Sequence, residues 1–416
     1  MKPPIRLPRV PSQSPYVCNS CLSRSLPTAR LATQRFSNSS TSSSNPPYPP
    51  PSAFAYLPSR RLIALTGPDS THYLQGVITA NLSPSPPRTS GGFYAAFLNA
   101  QGRLLNDVFI YPYTESGKPD GKGEGWLIEV DAKEVAVLAK HIKRYKLRAK
   151  FEVRVLDVEE RGVWSVWEEG GKDGWTPHSL GGGESTASGT DPGSSTSSAE
   201  EKEGVIGCPD NRAPGMGRRF LLPGDLKPEF DMQETSEDVY RVRRYLKGVA
   251  EGQDELVREQ ALPQESNVDF MGGIDYKKGC YVGQELTIRT HHRGVVRKRI
   301  LPVMLYGMEE SEPTALEYDA GKMLGVEGIP RDTGIGRFEK RGRSAGKFLA
   351  GVGNVGLGLC RLETMTDVQV QGEAGGYKEG DEFKVEWEGE GGEGGEGGEG
   401  KSLKIKAFVP PWHLKQ

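Results

Sequence analysis

The sequence predicts an α+β protein with a β-rich module at its C-terminal end. Three observations carry that expectation. Strand-like and helix-like stretches interleave without the strand–helix–strand rhythm of a parallel sheet. Two segments, near 135–145 and 236–246, repeat apolar residues at helical spacing. From Ile300 onward the chain becomes a series of short apolar runs broken by glycines, the pattern of a small β-domain.

The elements follow in order. After a proline-rich lead over 46–52, Arg61-Leu62-Ile63-Ala64-Leu65 reads as a strand. Thr66-Gly67-Pro68-Asp69 opens a short helix, because proline in a first turn forfeits no hydrogen bond. Gly76 is placed to stop it. Residues 93–98, a turn about Gly102 and residues 104–111 form a hairpin pattern, and 126–130 is a further strand. Asp131 and Glu134 have capping-box spacing. Behind them Val135, Leu138, Ile142 and Tyr145 fall on one helical face. Residues 151–156 and 162–167 are strand-like. Ser236 to Leu246 forms the second amphipathic helix, with Val239, Val242 and Leu246 inward and Gly248 ending it. Cys208 stands in a loop before a proline, and Cys360 lies in an apolar run that reads as a core strand.

Composition narrows the function. Of 416 residues, 53 are Lys or Arg and 55 are Asp or Glu, a net charge of −2. That balance excludes a globally basic nucleic-acid coat and an acidic tail protein. No apolar run approaches the ~18 residues of a membrane span. Five irregularly spaced cysteines do not make a disulfide framework, which favours a reducing compartment. The first acidic residue is Asp69; eight cations and a serine-rich run at 37–44 precede it. Basic, serine-rich and acid-free is the composition of a mitochondrial transit peptide. Cys18 and Cys21 make a CxxC within it, with no second ligand pair nearby.

The chain therefore divides into a transit peptide and lead over 1–45, a core over 46–300 with a flexible Gly/Ser/Glu insertion at 168–204, and a β-barrel-like domain over 301–416 with a Gly/Glu loop at 388–400. Six cations and no acid lie between Lys140 and Lys150, either a solvated helix face or an anion-facing surface.

Lys277-Lys278-Gly279-Cys280-Tyr281-Val282-Gly283-Gln284-Glu285 is the most specific stretch. Cations beside Cys280 favour a thiolate, the form that binds metal or attacks an electrophile. Gly279 and Gly283 bracket the cysteine, so the backbone can turn sharply there. From Lys277 to Arg299 there are seven Lys/Arg and one acid, Glu285. His291 and His292, read as part of a basic loop, add possible ligands.

The run from Lys278 to Thr287, followed by Arg289, resembles the signature of the YgfZ family, the folate-binding-like relatives of glycine-cleavage aminomethyltransferase (GcvT). With the transit-like N-terminus, the chain is similar to the mitochondrial, iron–sulfur branch of that family. The resemblance extends over Thr66 to Asp69, Tyr73 to Gly76, Phe97 to Asn99, Gln101 to Arg103, Asp107, His141 to Arg148, Arg241 to Gly248, Leu262-Pro263, Asn267 to Asp269, Gly342-Arg343 and Gly346-Lys347.

The resemblance implies a GcvT-like fold of three subdomains around a central opening, closed by a β-barrel-like module. The opening holds tetrahydrofolate in the enzyme, and Asn99, Arg103, Asp107 and Arg244 stand at the matching positions here. Two departures weigh against aminomethyl transfer. The enzyme's adjacent aspartates are replaced by Asn106-Asp107, and its acidic helix by Arg241-Val242-Arg243-Arg244-Tyr245. The resemblance implies instead a matrix factor, a binding and transfer protein more than an enzyme, acting with A-type carrier proteins in the late maturation of [4Fe–4S] proteins such as aconitase, lipoate synthase and biotin synthase. Cys280 would be one ligand of a [2Fe–2S] cluster shared with a partner. Lys277, Lys278 and Arg289 would favour its thiolate, and Gly279, Tyr281, Gly283, Gln284 and Glu285 would shape the loop or meet the partner. A tetrahydrofolate-dependent one-carbon transferase is the second reading. Nucleic acid is not expected, since only Tyr145 and Tyr281 are available among the cations for stacking.

Overall fold

The computed structural model describes residues 44–82, 91–115, 124–170, 205–224, 226–338, 343–372, 376–388 and 400–414. The transit segment up to residue 43 with its CxxC, the insertion from 171 to 204 and the Gly/Glu loop from 389 to 399 lie outside the described residues.

The strands of the described residues form three β structures. The first sheet has the order β3 (Phe93–Leu98), β4 (Leu104–Thr114), β5 (Glu124–Asp131), β2 (Arg60–Thr66), β6 (Glu152–Val155), and every pairing is antiparallel. Strand alternation sends Ile63 and Leu65 to one face and Leu62 and Ala64 to the other. Helices α1 (Ser70–Val77) and α2 (Val135–Tyr145) cover the first face, where Leu74, Leu138 and Ile142 join Ile63, Phe97, Ile110 and Ile128. The second sheet has the order β10 (Gln233–Thr235), β1 (Ser52–Tyr56), β7 (Arg161–Glu168), β9 (Arg218–Pro223), β8 (Ile206–Pro209). Only the β1–β10 pair is parallel. The inner faces of both sheets, helix α3 (Glu237–Lys247) and one side of the C-terminal module share a single core that includes Leu62, Phe109, Tyr111, Trp167, Val242, Tyr245, Ile300 and Trp412.

The C-terminal module is a closed barrel: β11 (Lys298–Tyr306), β14 (Val355–Arg361), β13 (Gly346–Val352), β12 (Gly334–Arg337), β15 (Phe383–Glu388), β16 (Gly400–Ala407), returning to β11. Closure leaves no free strand edge. Its interior holds Leu301, Val303, Leu305, Phe348, Cys360, Val385 and Ile405. Among the described residues no helix is long and apolar enough to cross a membrane.

Helix α3 follows the sequence closely. Ser236 caps it through its hydroxyl, which accepts from Val239 N at 3.4 Å, and Gly248 ends it at φ 73°. Elsewhere tertiary contacts override local signals. Gly76 lies inside α1, which runs on to Val77 before Ile78 turns extended and bridges Phe97. The Asp131–Glu134 capping box does not form. Asp131 accepts from the backbone N–H groups of Lys133 and Gln253, and Glu134 pairs with Arg258 at 3.3 Å. Tyr145 is exposed, because the chain leaves the sheet at the end of α2 and Ala139 takes the buried position instead. Leu246 is only partly buried. Cys208 lies on strand β8, paired with Arg219 of β9, rather than in a loop.

Candidate functional site

The signature folds as a short loop clamped at both ends. Before it, Asp275 accepts from Lys277 N at 2.8 Å. The Lys278 ammonium turns inward and donates to the carbonyls of Gln75, Ile78 and Ala80 at 2.8, 2.7 and 3.0 Å, satisfying acceptors around the end of α1. Tyr281 is buried beneath it, the ammonium 4.9 Å from the ring centre. Val282 N donates to Gly76 O at 3.0 Å, and Tyr281 N to Gln284 Oε1 at 3.1 Å. Gly283, at φ 80°, starts helix α4 (Gln284–Arg293), so His291 and His292 stand in the last turn of a helix and not in a loop. Gln264 holds that helix by donating to Thr287 O at 2.8 Å, and Tyr276 stacks on His291 at 3.7 Å. Burial, then the neighbouring His292, lowers the His291 pKa.

Cys280 projects from the loop into solvent. The other described cysteines, Cys208 and Cys360, are buried, and burial pushes both thiols up. The cations read as neighbours of Cys280 divide their roles. Lys277 is exposed, Lys278 is held by three carbonyls, and Arg289 faces Glu285 at 4.0 Å on the exposed side of α4. The two glycines also differ. Only Gly283 needs a left-handed backbone, and a Cβ on Gly279 would meet nothing within 4 Å. Among the described residues no group of three or more His, Cys, Asp or Glu side chains could hold a metal ion. Cys280 thus offers a single exposed thiol ligand on a braced loop.

Of the residues matching the folate positions, Asn99 and Arg103 sit in the β3–β4 turn that packs on the signature loop, and Asp107 and Arg244 lie in the buried interior. Asn99 caps the β3–β4 turn, accepting from Gln101 N and Arg103 N, and Arg103 donates to Gln260 O at 2.6 Å. Asp107 and Arg244 belong to a buried ionic network between the two sheets. Asp107 takes Arg60 at 3.3 Å and Gly252 N at 3.1 Å. Arg60 reaches Glu129 at 2.9 Å, Arg219 reaches Glu129 at 3.2 Å and also pairs with Glu251, and Arg212 holds Asp210 at 2.7 Å and Glu251 at 2.8 Å. Arg244 grips Glu255 through both terminal nitrogens, at 2.7 and 3.0 Å. Burial pushes the Glu251 carboxyl up, but Arg219, Arg212, Arg244 and Arg60 outweigh it and hold it well below the usual range. Sequence reading missed this network. Its visible signal was Arg244 on the buried side of an amphipathic helix, with Glu251 and Glu255 three and seven residues past Gly248.

A separate polar cleft of about 610 Å³ opens between segment 255–266 and the barrel. Arg103, Glu259, Lys298, Asp332, Lys347 and Arg361 are among its walls; Asn99, Asp107 and Arg244 are not.

The arrangement of two sheets and a closing barrel is similar to that of a solved glycine-cleavage aminomethyltransferase. Aminomethyltransferase T from Bartonella henselae matches with a TM-score of 0.55 at 11% identity, over 87% of this chain and 86% of that one, a likeness of fold. Residues 297–413 match the family model described as CAF17, C-terminal beta-barrel domain. Along nearly its whole length the chain is similar to proteins named iron-sulfur cluster assembly factor IBA57 homolog, mitochondrial. The relative in Chaetomium globosum is 48% identical over 95% of this chain and 92% of its own length, that in Pyricularia oryzae 50% over 86% and 84%, and that in Aspergillus fumigatus 46% over 96% and 90%. The chain belongs to this IBA57 family of iron–sulfur cluster assembly factors.

Proposed function

We propose that the protein acts in the mitochondrial matrix, late in iron–sulfur cluster assembly, receiving a [2Fe–2S] cluster with an A-type carrier for the maturation of [4Fe–4S] proteins of the aconitase, lipoate synthase and biotin synthase kind. The observation that carries this reading is Cys280, exposed on a clamped loop while Cys208 and Cys360 are buried. Iron–sulfur clusters normally take four protein ligands, mostly cysteines, so one thiolate needs a partner to complete the set. The brace formed by Lys278, Tyr281 and Gly283 fixes where that thiolate is presented, and Lys277 offsets part of the cluster's negative charge.

The test is a mixed complex with an A-type carrier, followed by visible absorption and native mass spectrometry. Cys280→Ala should abolish the shared cluster while leaving the fold intact. An unchanged cluster in that variant overturns the assignment. Gene deletion should lower aconitase activity and spare a [2Fe–2S] enzyme. Loss of glycine cleavage that added lipoylated carrier protein fails to restore would instead establish an aminomethyltransferase.

A second reading looks to the cleft, where Arg103 and Arg361 would take the anionic tail of tetrahydrofolate while Lys298 and Lys347 stay paired with Glu265 and Asp332. It requires saturable binding of tetrahydrofolate by calorimetry, weakened by Arg103→Ala. The Asp107 and Arg244 side chains are engaged by Arg60 and Glu255, so this reading places the ligand outside the buried network.

A further inference from the structure

We propose that the end of α2 is a peripheral docking site for an anionic lipid surface. This inference is independent of the role of Cys280. Along the exposed side of α2, Val137, Lys140 and Arg144 follow one another at three- and four-residue spacing, with the partly buried His141 and the exposed Tyr145 beside them, so they form one stripe. Val137 and Tyr145 are 43% and 52% exposed. Just past the helix, Leu147 is 83% exposed and held at φ 48°. A left-handed backbone strains a leucine, so this apolar side chain is kept in water at an energetic cost. Lys143, Arg148 and Lys150 flank it in sequence and are exposed, and none of them, nor Lys140 or Arg144, has an ion-pair partner among the described residues. Glu134 and Glu152 are the acids nearest in sequence, Glu259 acts on His141, and Asp69 accepts from the Lys150 backbone N–H. Lys146 is the exception among the cations, donating to Phe151 O at 2.6 Å.

Lys143 and Arg144 in the last turn complement the helix dipole, but that explains neither Arg148 and Lys150 nor the exposed apolar side chains. An acidic protein face would answer the charge as well. The composition favours lipid: with Lys146 set aside, three lysines and two arginines lie between Lys140 and Lys150, whereas protein interfaces are depleted in lysine and enriched in arginine. An anionic bilayer attracts Lys and Arg alike and accepts projecting Tyr and Leu side chains at the headgroup level.

The experiment is flotation of the full chain with phosphatidylcholine vesicles with and without phosphatidylglycerol, over a salt series. Residues 1–43 carry cations of their own, so the comparison is between wild type and stripe variants of the same chain. Wild type should bind only the vesicles containing phosphatidylglycerol, and salt should weaken binding. Lys143→Glu/Arg144→Glu/Arg148→Glu should lower partitioning by at least about fivefold per charge reversed. Leu147→Gly, which relieves the backbone strain and so preserves the fold, should also lower it. Wild-type partitioning in both variants, or no dependence on phosphatidylglycerol, overturns the proposal. So does competition at the stripe by polyglutamate without vesicle binding, which would assign the face to an acidic polypeptide.

Discussion

Gly283 and Gly102 meet backbone to backbone, the signature loop against the β3–β4 turn. A Cβ on Gly102 would stand 2.8 Å from the Gly283 carbonyl oxygen, and one on Gly283 would stand 2.3 Å from the Asn99 carbonyl oxygen. Both glycines are left-handed, at φ 79° and 80°. Gly283→Ala therefore adds strain and a clash against backbone, and should lower stability by roughly 2–4 kcal/mol. It should also free the Cys280 loop. Gly279→Ala, one residue before the cysteine, meets open space and should leave the denaturation midpoint unchanged. Urea titration of the two variants beside wild type checks the contrast.

Thiol accessibility follows from the same loop. Cys280 should alkylate within the native state, while Cys208 and Cys360 should react only after unfolding, because both are fully buried. Peptide mass mapping after iodoacetamide treatment, with and without denaturant, separates them. Native-state labelling of Cys360 would mean the barrel opens.

The legible parts of the chain were those whose signals are local. Ser236 and Gly248 bracket α3 because a hydroxyl cap and a left-handed glycine act within one turn. The barrel strands were visible as short apolar runs between glycines. The Lys278–Thr287 motif pointed to its family without any structure. What failed depended on distant partners. Asp131 gave up its capping role to Gln253 N, more than a hundred residues on. Arg244, at a position matching the enzyme's folate pocket, holds Glu255, a partner that no local pattern foretells. Helix α4 was missed because its last turn, His291-His292-Arg293, is polar and its hold on the body comes from Gln264 and Tyr276.

The buried network makes Arg219 and Arg244 structural in the first instance. Replacing Arg219 by Met leaves Glu129 and Glu251 short of a cation and should cost roughly 3–5 kcal/mol, as breaking a buried pair does. Arg244→Met should do the same through Glu255. Thermal melts measure both. If Arg244→Met kept wild-type stability and lost affinity for an added anion, Arg244 would be a ligand-binding residue instead.

Acid sensitivity should be traceable to His413. Burial, then the Arg299 guanidinium, lowers its pKa from 6.5 to about 3, and its ring packs edge-on against Phe270 at 5.2 Å and Trp412 at 4.2 Å. The unfolded chain binds a proton here at a higher pH than the folded chain does. Stability from this group is therefore complete above pH 6.5 and is lost progressively as the pH falls towards 3. Over that window the loss amounts to roughly 3–5 kcal/mol. His413→Phe, similar in size and unable to titrate, should flatten the dependence of the urea midpoint on pH in this range. Parallel curves for variant and wild type would show that His413 is protonated as readily in the folded chain as in the unfolded one.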